Sequence, residues 1–210
     1  MPDFNTLTVT SDPEVVQRLA DWNLTVDQIV AIGDTARRWA EDASPLAPLN
    51  APGQLAYLFG VQELRQQLIG DGFVLDRSCN IEAVVNTELG VRIGYQNVDR
   101  SCDPDLPPIP RTSKGKGAEY LNGPDLFEHV GMVPGPLTGV REDAIPTYYV
   151  MVGEDGSIEL SRAIIKNGKY ERFVERIFVR SPSEDWEGAI EPETGPVEDF
   201  DIQVSFKDDQ

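Results

Sequence analysis

Apolar positions in the first seventy residues recur at helical spacing, and the polar residues ahead of them carry helix-start signals. Ser11-Asp12-Pro13-Glu14 has the form of a capping box with proline in the first turn. Val15, Val16 and Leu19 follow it, and Trp22 closes the stripe. Thr25-Val26-Asp27-Gln28 is a second box, opening a helix whose apolar face is Ile29, Ile32, Ala36, Trp39 and Ala40. A third helix is predicted from near Pro52, carrying Leu55, Leu58, Phe59, Val61, Leu64 and Leu68 and stopping at Gly70.

Beyond Gly70 the period shortens. Ile81–Val85 and Leu89–Tyr95 are β-branched and apolar, with Asn86-Thr87-Glu88 as a turn between them. Thr147–Val152 and Ser157–Ile165 flank Gly153-Glu154-Asp155-Gly156, a stronger hairpin signal. Asp99–Ala144 is a long irregular stretch, with short helices predicted near Gly117–Leu121 and Pro124–Val130. Tyr170, Phe173, Val174, Ile177 and Phe178 form a helical stripe, which predicts a helix over 169–180 passing into a strand at Ile177–Arg180. Phe200, Ile202, Val204 and Phe206 alternate with Asp201, Gln203 and Ser205, the pattern of a half-buried strand.

These elements predict an α+β fold: a layer of three N-terminal helices (1–72) on a mainly antiparallel sheet of five to six strands (73–210). The sheet portion includes the long loop 99–144 and a connector at 181–199, and the whole reads as one continuous globular unit.

Composition narrows the field. The chain has 210 residues, 40% of them apolar, which suits a packed core rather than disorder. No apolar run reaches the length of a membrane span, and the first residues lack the pattern of a secretory signal. A cytoplasmic protein is the expectation, with Cys79 and Cys102 as reduced thiols and Asn23-Leu24-Thr25 as a meaningless match to a glycosylation acceptor. The net charge of −18 speaks against direct binding of nucleic acid or an anionic membrane. A DNA-reading helix-turn-helix at the first two helices is also disfavoured, because residues 1–50 carry eight acids against three bases.

The charge is unevenly distributed. Residues 111–180 balance ten acids with ten bases, whereas 181–210 carry −9. Glu184, Asp185, Glu187, Glu191, Glu193, Glu198 and Asp199 lie in a proline-containing stretch with no base, an extended acidic connector. A basic run precedes it: Arg162, Lys166, Lys169, Arg172, Arg176 and Arg180. The two runs could neutralise each other, or one could meet a charged partner. The connector acids would lie roughly 7 to 8 Å apart along an extended chain, too sparse to imitate duplex DNA unaided.

Motifs for catalysis are weak. One histidine, His129, and two separated cysteines give no zinc pattern, and no calcium loop, two-metal carboxylate set or nucleophile elbow is present, so neither metal nor cofactor is expected. Ser113-Lys114-Gly115-Lys116-Gly117 lacks phosphate-loop spacing, but Lys114 and Lys116 could contact an anion. Pro107–Pro110 reads as a stiff spacer. Arg92, Tyr95, Gln96, Asn97, Asp99 and Arg100 concentrate polar groups at a strand end; either a hydrogen-bond network or a polar cleft formed by Arg92, Gln96, Asn97, Asp99 and Arg100 would account for them.

The leading expectation is a non-enzymatic interaction or inhibitor protein whose acidic surface engages a basic protein or a nucleic-acid-binding complex. Acidic inhibitors from phage or mobile elements that antagonise restriction or CRISPR systems offer an analogy of charge and size, not of sequence. The alternatives are an enzyme or small-ligand binder using the Arg92–Arg100 cleft, and a structural or assembly subunit.

Overall fold

The computed structural model describes residues 6–122 and 145–182. Within them the order is β1 (Leu7–Val9), α1 (Asp12–Ala20), α2 (Val26–Glu41), α3 (Ala51–Leu68), β2 (Val74–Asp76), a 3-10 turn (Ser78–Asn80), β3 (Ala83–Asn86), β4 (Val91–Asn97), α4 (Lys116–Asn122), β5 (Thr147–Val152), β6 (Ile158–Lys166) and β7 (Lys169–Arg180). The expected helix near Pro124–Val130, the acidic stretch Glu184–Asp199 and the alternating segment Phe200–Phe206 lie outside the described residues.

The N-terminal helices start where local chemistry dictates. Gln28 N–H donates to the Thr25 hydroxyl (3.2 Å) while Thr25 N–H donates to the Gln28 side chain (2.9 Å), a reciprocal capping box. At Ser11 the box is incomplete: its hydroxyl donates to the Glu14 carboxylate (2.6 Å) and caps no backbone N–H. Val15, Leu19, Trp22, Ile29, Ile32, Ala36, Val61, Leu64 and Leu68 bury the helices against one sheet face.

The sheet departs from the sequence expectation. Among the described residues it has seven strands, ordered β1-β7-β6-β5-β4-β3-β2, and it is mixed: β4 pairs with β5 in parallel, and so does β1 with β7. The long stretch between Asn97 and Thr147 permits the crossover that a parallel pair requires. The three-residue strands β1 and β2 are too short to show a period.

Residues 169–180 contain no helix; they form β7 throughout. The cause is the register of the β6–β7 pair, which slips three times, between Ile158 and Glu159, Arg162 and Ala163, and Ile164 and Ile165. Each slip leaves an extra residue on β7, so its apolar positions lose the two-residue period and mimic a helical one. The four helices among the described residues are α1–α3 on one face and the short α4 beside the other, where Val98, Ala118, Tyr149, Met151, Ala163, Ile165 and Phe173 make a second core.

Two close approaches lock the helical layer to the sheet. A Cβ at Gly33 would lie 2.3 Å from Ile158 Cδ1, and one at Gly60 would lie 2.6 Å from the Tyr95 ring. Tyr95 is buried, and its hydroxyl is held by Asn97 (2.6 Å), so its ring has little room to yield. Gly60→Ala should lower stability by about 1–2 kcal/mol, overpacking outweighing the gain in helix propensity. Urea denaturation measures this, and an unchanged or raised midpoint would contradict the packing described.

Candidate functional site

The sheet face turned away from α1–α3 carries the polar chemistry. Alternation along β4 puts Arg92 and Gln96 there; β5 supplies Thr147 and Tyr149, β6 Glu159 and Ser161, and β7 Arg176. All seven are buried. Two ion pairs dominate. Arg92 Nε pairs with Asp76, and its Nη1 donates to the Ile145 carbonyl (3.0 Å). Arg176 grips Glu159 with both ends of its guanidinium, Nε at 3.1 Å and Nη2 at 2.7 Å. Desolvation works against ionising Asp76, but hydrogen bonds from Ser78 and Arg92 outweigh it and hold the carboxyl below its usual range.

The loop after β4 is fastened to this face. Cys102 N–H donates to Glu159 (2.7 Å), the Ser101 hydroxyl donates to Ser157 (2.7 Å), and Arg176 Nη1 donates to the Asp103 carbonyl (2.7 Å). The Cys102 thiol sits 3.1 Å from the Ile158 carbonyl, and burial pushes its pKa up to about 12, so it is an inert packing group. A third pair lies on the helical face. Arg18 clasps Glu175 at 2.7 and 2.9 Å, and the Tyr148 hydroxyl donates to the same carboxylate (2.6 Å).

Further along the strap, Lys114 turns inward. Its amine donates to Gln96 Oε1 and lies 4.3 Å above the Tyr149 ring centroid and 5.8 Å from that of Tyr170. Burial lowers its pKa to about 7. Nearby polar atoms are left without hydrogen-bond partners among the described residues: the Tyr170 hydroxyl and Thr147 Oγ1.

The five residues of the expected polar cleft divide among different partners, although Gln96 Nε2 also donates to the Asn97 carbonyl (2.9 Å). Arg92 serves β2 through Asp76, whereas Gln96 serves the strap through Lys114. Asn97 donates to the Gly53 carbonyl (2.8 Å), toward the start of α3. Asp99 accepts from Ile109 N–H (2.7 Å) and pairs with Arg100 (3.1 Å) on an exposed loop. Lys114 is engaged with Gln96, while Lys116 is exposed at the start of α4. The acidic residues Glu184–Asp199 and His129 lie outside the described residues.

The sequence pattern singles out neither Glu159 nor Asp76, and it places Arg176 only in the basic run 162–180. Glu159 sits between Ile158 and Leu160, which reads as the solvent side of an alternating strand. Its burial depends on the strap covering that side. Among the described residues, no group of three His, Cys, Asp or Glu is placed to hold a metal ion. Comparison of the chain with protein-family models, curated proteins and solved structures gives no match.

Among the described residues with a shifted pKa, the Lys114 amine is the one brought near neutrality. Unfolding returns it to an ordinary lysine pKa of about 10.4. Between pH 7 and 10 the unfolded chain therefore binds more protons than the folded one, and stability should rise with pH over that window. Denaturant midpoints measured from pH 6 to 10 should climb for the native chain and stay flat for Lys114→Met. Parallel profiles would mean that the amine is solvated.

Proposed function

We propose that the protein is a non-enzymatic interaction protein, in which Glu184, Asp185, Glu187, Glu191, Glu193, Glu198 and Asp199 engage a basic partner. The observation that supports this most is where the folded body places its own charges. Residues 6–122 and 145–182 hold 21 acids and 16 bases, a net of −5. The remaining −13 of the −18 belongs to other residues, −9 of it to 183–210.

The basic run 162–180 was the obvious internal counter-charge for the connector. Several of its members are already engaged inside the body. Arg176 is buried on Glu159, Arg180 pairs with Asp34 (2.6 Å) and donates to the Gly156 carbonyl (3.0 Å), and Lys166 pairs with Glu171 (2.8 Å). Arg162 stands opposite Glu175 in the sheet. Internal neutralisation of the connector thus loses its main donors, which favours an external cation. A basic surface that handles nucleic acid has the matching chemistry, and electrostatic complementarity would speed the encounter.

The test is affinity purification of the tagged full chain from its native host, alongside a variant with Glu184, Glu187, Glu191 and Glu193 changed to Gln. The native chain should recover a basic protein at about 0.05 M salt and lose it by about 0.3 M, where screening is strong. The neutralised variant should fail to recover it at either salt. Equal recovery by both chains, or recovery indifferent to salt, would overturn the reading.

A further inference from the structure

Helix α3 buries one stripe and leaves another open. Ala56, Gly60, Val61, Leu64 and Leu68 are buried, whereas Tyr57, Leu58 and Ile69 are 42%, 59% and 47% exposed. The open stripe, with Gln62, Arg65 and Gln66 between Leu58 and Ile69 at the helix C-cap, floors a groove of about 800 Å³ whose opposite wall is Arg77 and Glu82. The sheet also ends here. No strand among the described residues pairs with the outer side of β2, and its Val74 and Leu75 are 58% and 46% exposed. An open sheet edge beside exposed apolar side chains is a template for a further segment.

The rim of the groove says what kind of segment fits. Arg65 and Arg77 share the single carboxylate of Glu82, so two guanidiniums face one acid. Arg65 Nε is buried with no hydrogen-bond partner among the described residues. In a chain of net charge −18, this apolar groove has a locally positive rim. It suits a segment that combines apolar side chains with carboxylates.

We propose that the groove is occupied by residues 200–206 of this same chain. There Phe200, Ile202, Val204 and Phe206 alternate with Asp201, Gln203 and Ser205, and Glu198 and Asp199 precede them. The dimensions agree. Four alternating side chains of an extended segment cover six steps of ~3.3 Å, about 20 Å. The α3 stripe from Tyr57 to Ile69 covers twelve steps of ~1.5 Å, about 18 Å. The tether is sufficient as well: the eighteen steps from Pro182 to Phe200 can reach about 60 Å, against about 24 Å for the five strand spacings from β7 to β2. A tethered segment also has an effective concentration of about millimolar, which favours it over free competitors. The proposal stands whether or not a basic partner exists.

A cysteine on the groove floor supplies the probe: Gln66→Cys, at an exposed groove position, combined with Cys79→Ser, because Cys79 packs toward Gly117 of α4 while Cys102 is buried. In the full chain, Asp201→Cys, Gln203→Cys and Ser205→Cys are made one at a time and treated with a short bismaleimide at low protein concentration. Peptide mapping should find a link to position 66 within one chain for at least one of the three. Adding Leu58→Asp, an exposed change that leaves the core intact, should lower that yield several-fold with the unfolding midpoint unchanged. Three outcomes would overturn the proposal. A yield indifferent to Leu58→Asp means chance collision of a tethered end, links between chains mean that a second copy fills the groove, and no link from any of the three positions means that the segment is elsewhere.

Discussion

Glu159 is wholly enclosed at the centre of the sheet, and its carboxylate collects four donors: both arms of Arg176, the Ser161 hydroxyl and the Cys102 backbone N–H. An unpaired carboxylate in such a place would cost several kcal/mol. The clamp therefore works only when β6, β7 and the strap are all present. Arg176 extends it by donating to Asp103, and the Ser101–Ser157 contact repeats it one residue away. Much of the second sheet face follows from this. The strap fixed at 101–103 runs on to Lys114, whose backbone N–H donates to the Gly168 carbonyl at the β6–β7 turn (2.9 Å).

The two faces of the sheet use different physics. The helical face is mainly apolar burial, with the Arg18–Glu175–Tyr148 contact as its polar exception. The other face is covered by an irregular strap and one short helix, which cannot present a continuous apolar surface. Paired charges and directed hydrogen bonds take that role. The folded body engages many of its own cations internally, and half of the chain's net charge of −18 falls in the residues beyond β7.

Legibility in the sequence followed the regularity of the local pattern. The capping box at Thr25, the apolar stripe of α2 and the Gly153–Gly156 hairpin were readable because each signal is complete within a few residues. The strand β7 was not, because three register slips displaced Phe173 and Ile177 into helical spacing. Leu58 belongs to the apolar series expected of α3, but it lies off the face that buries Gly60, Val61, Leu64 and Leu68 and is exposed. The polar residues 92–100 were visible as a concentration, but their division among different partners was not, since Asp76, Lys114 and Gly53 are distant in the chain. Glu159 and Arg176 carry no local mark of burial.

The clamp is tested most directly by a double-mutant cycle on Glu159 and Arg176, read by urea denaturation. Arg176→Met alone strands a buried carboxylate and should cost about 3–5 kcal/mol. Combining it with Glu159→Gln, whose amide oxygen can still accept from Cys102 N–H while its NH2 donates to the Ser161 hydroxyl, should recover a large part of that loss. If Arg176→Met costs less than about 1 kcal/mol, or the two losses simply add, the pair does not organise this face of the sheet.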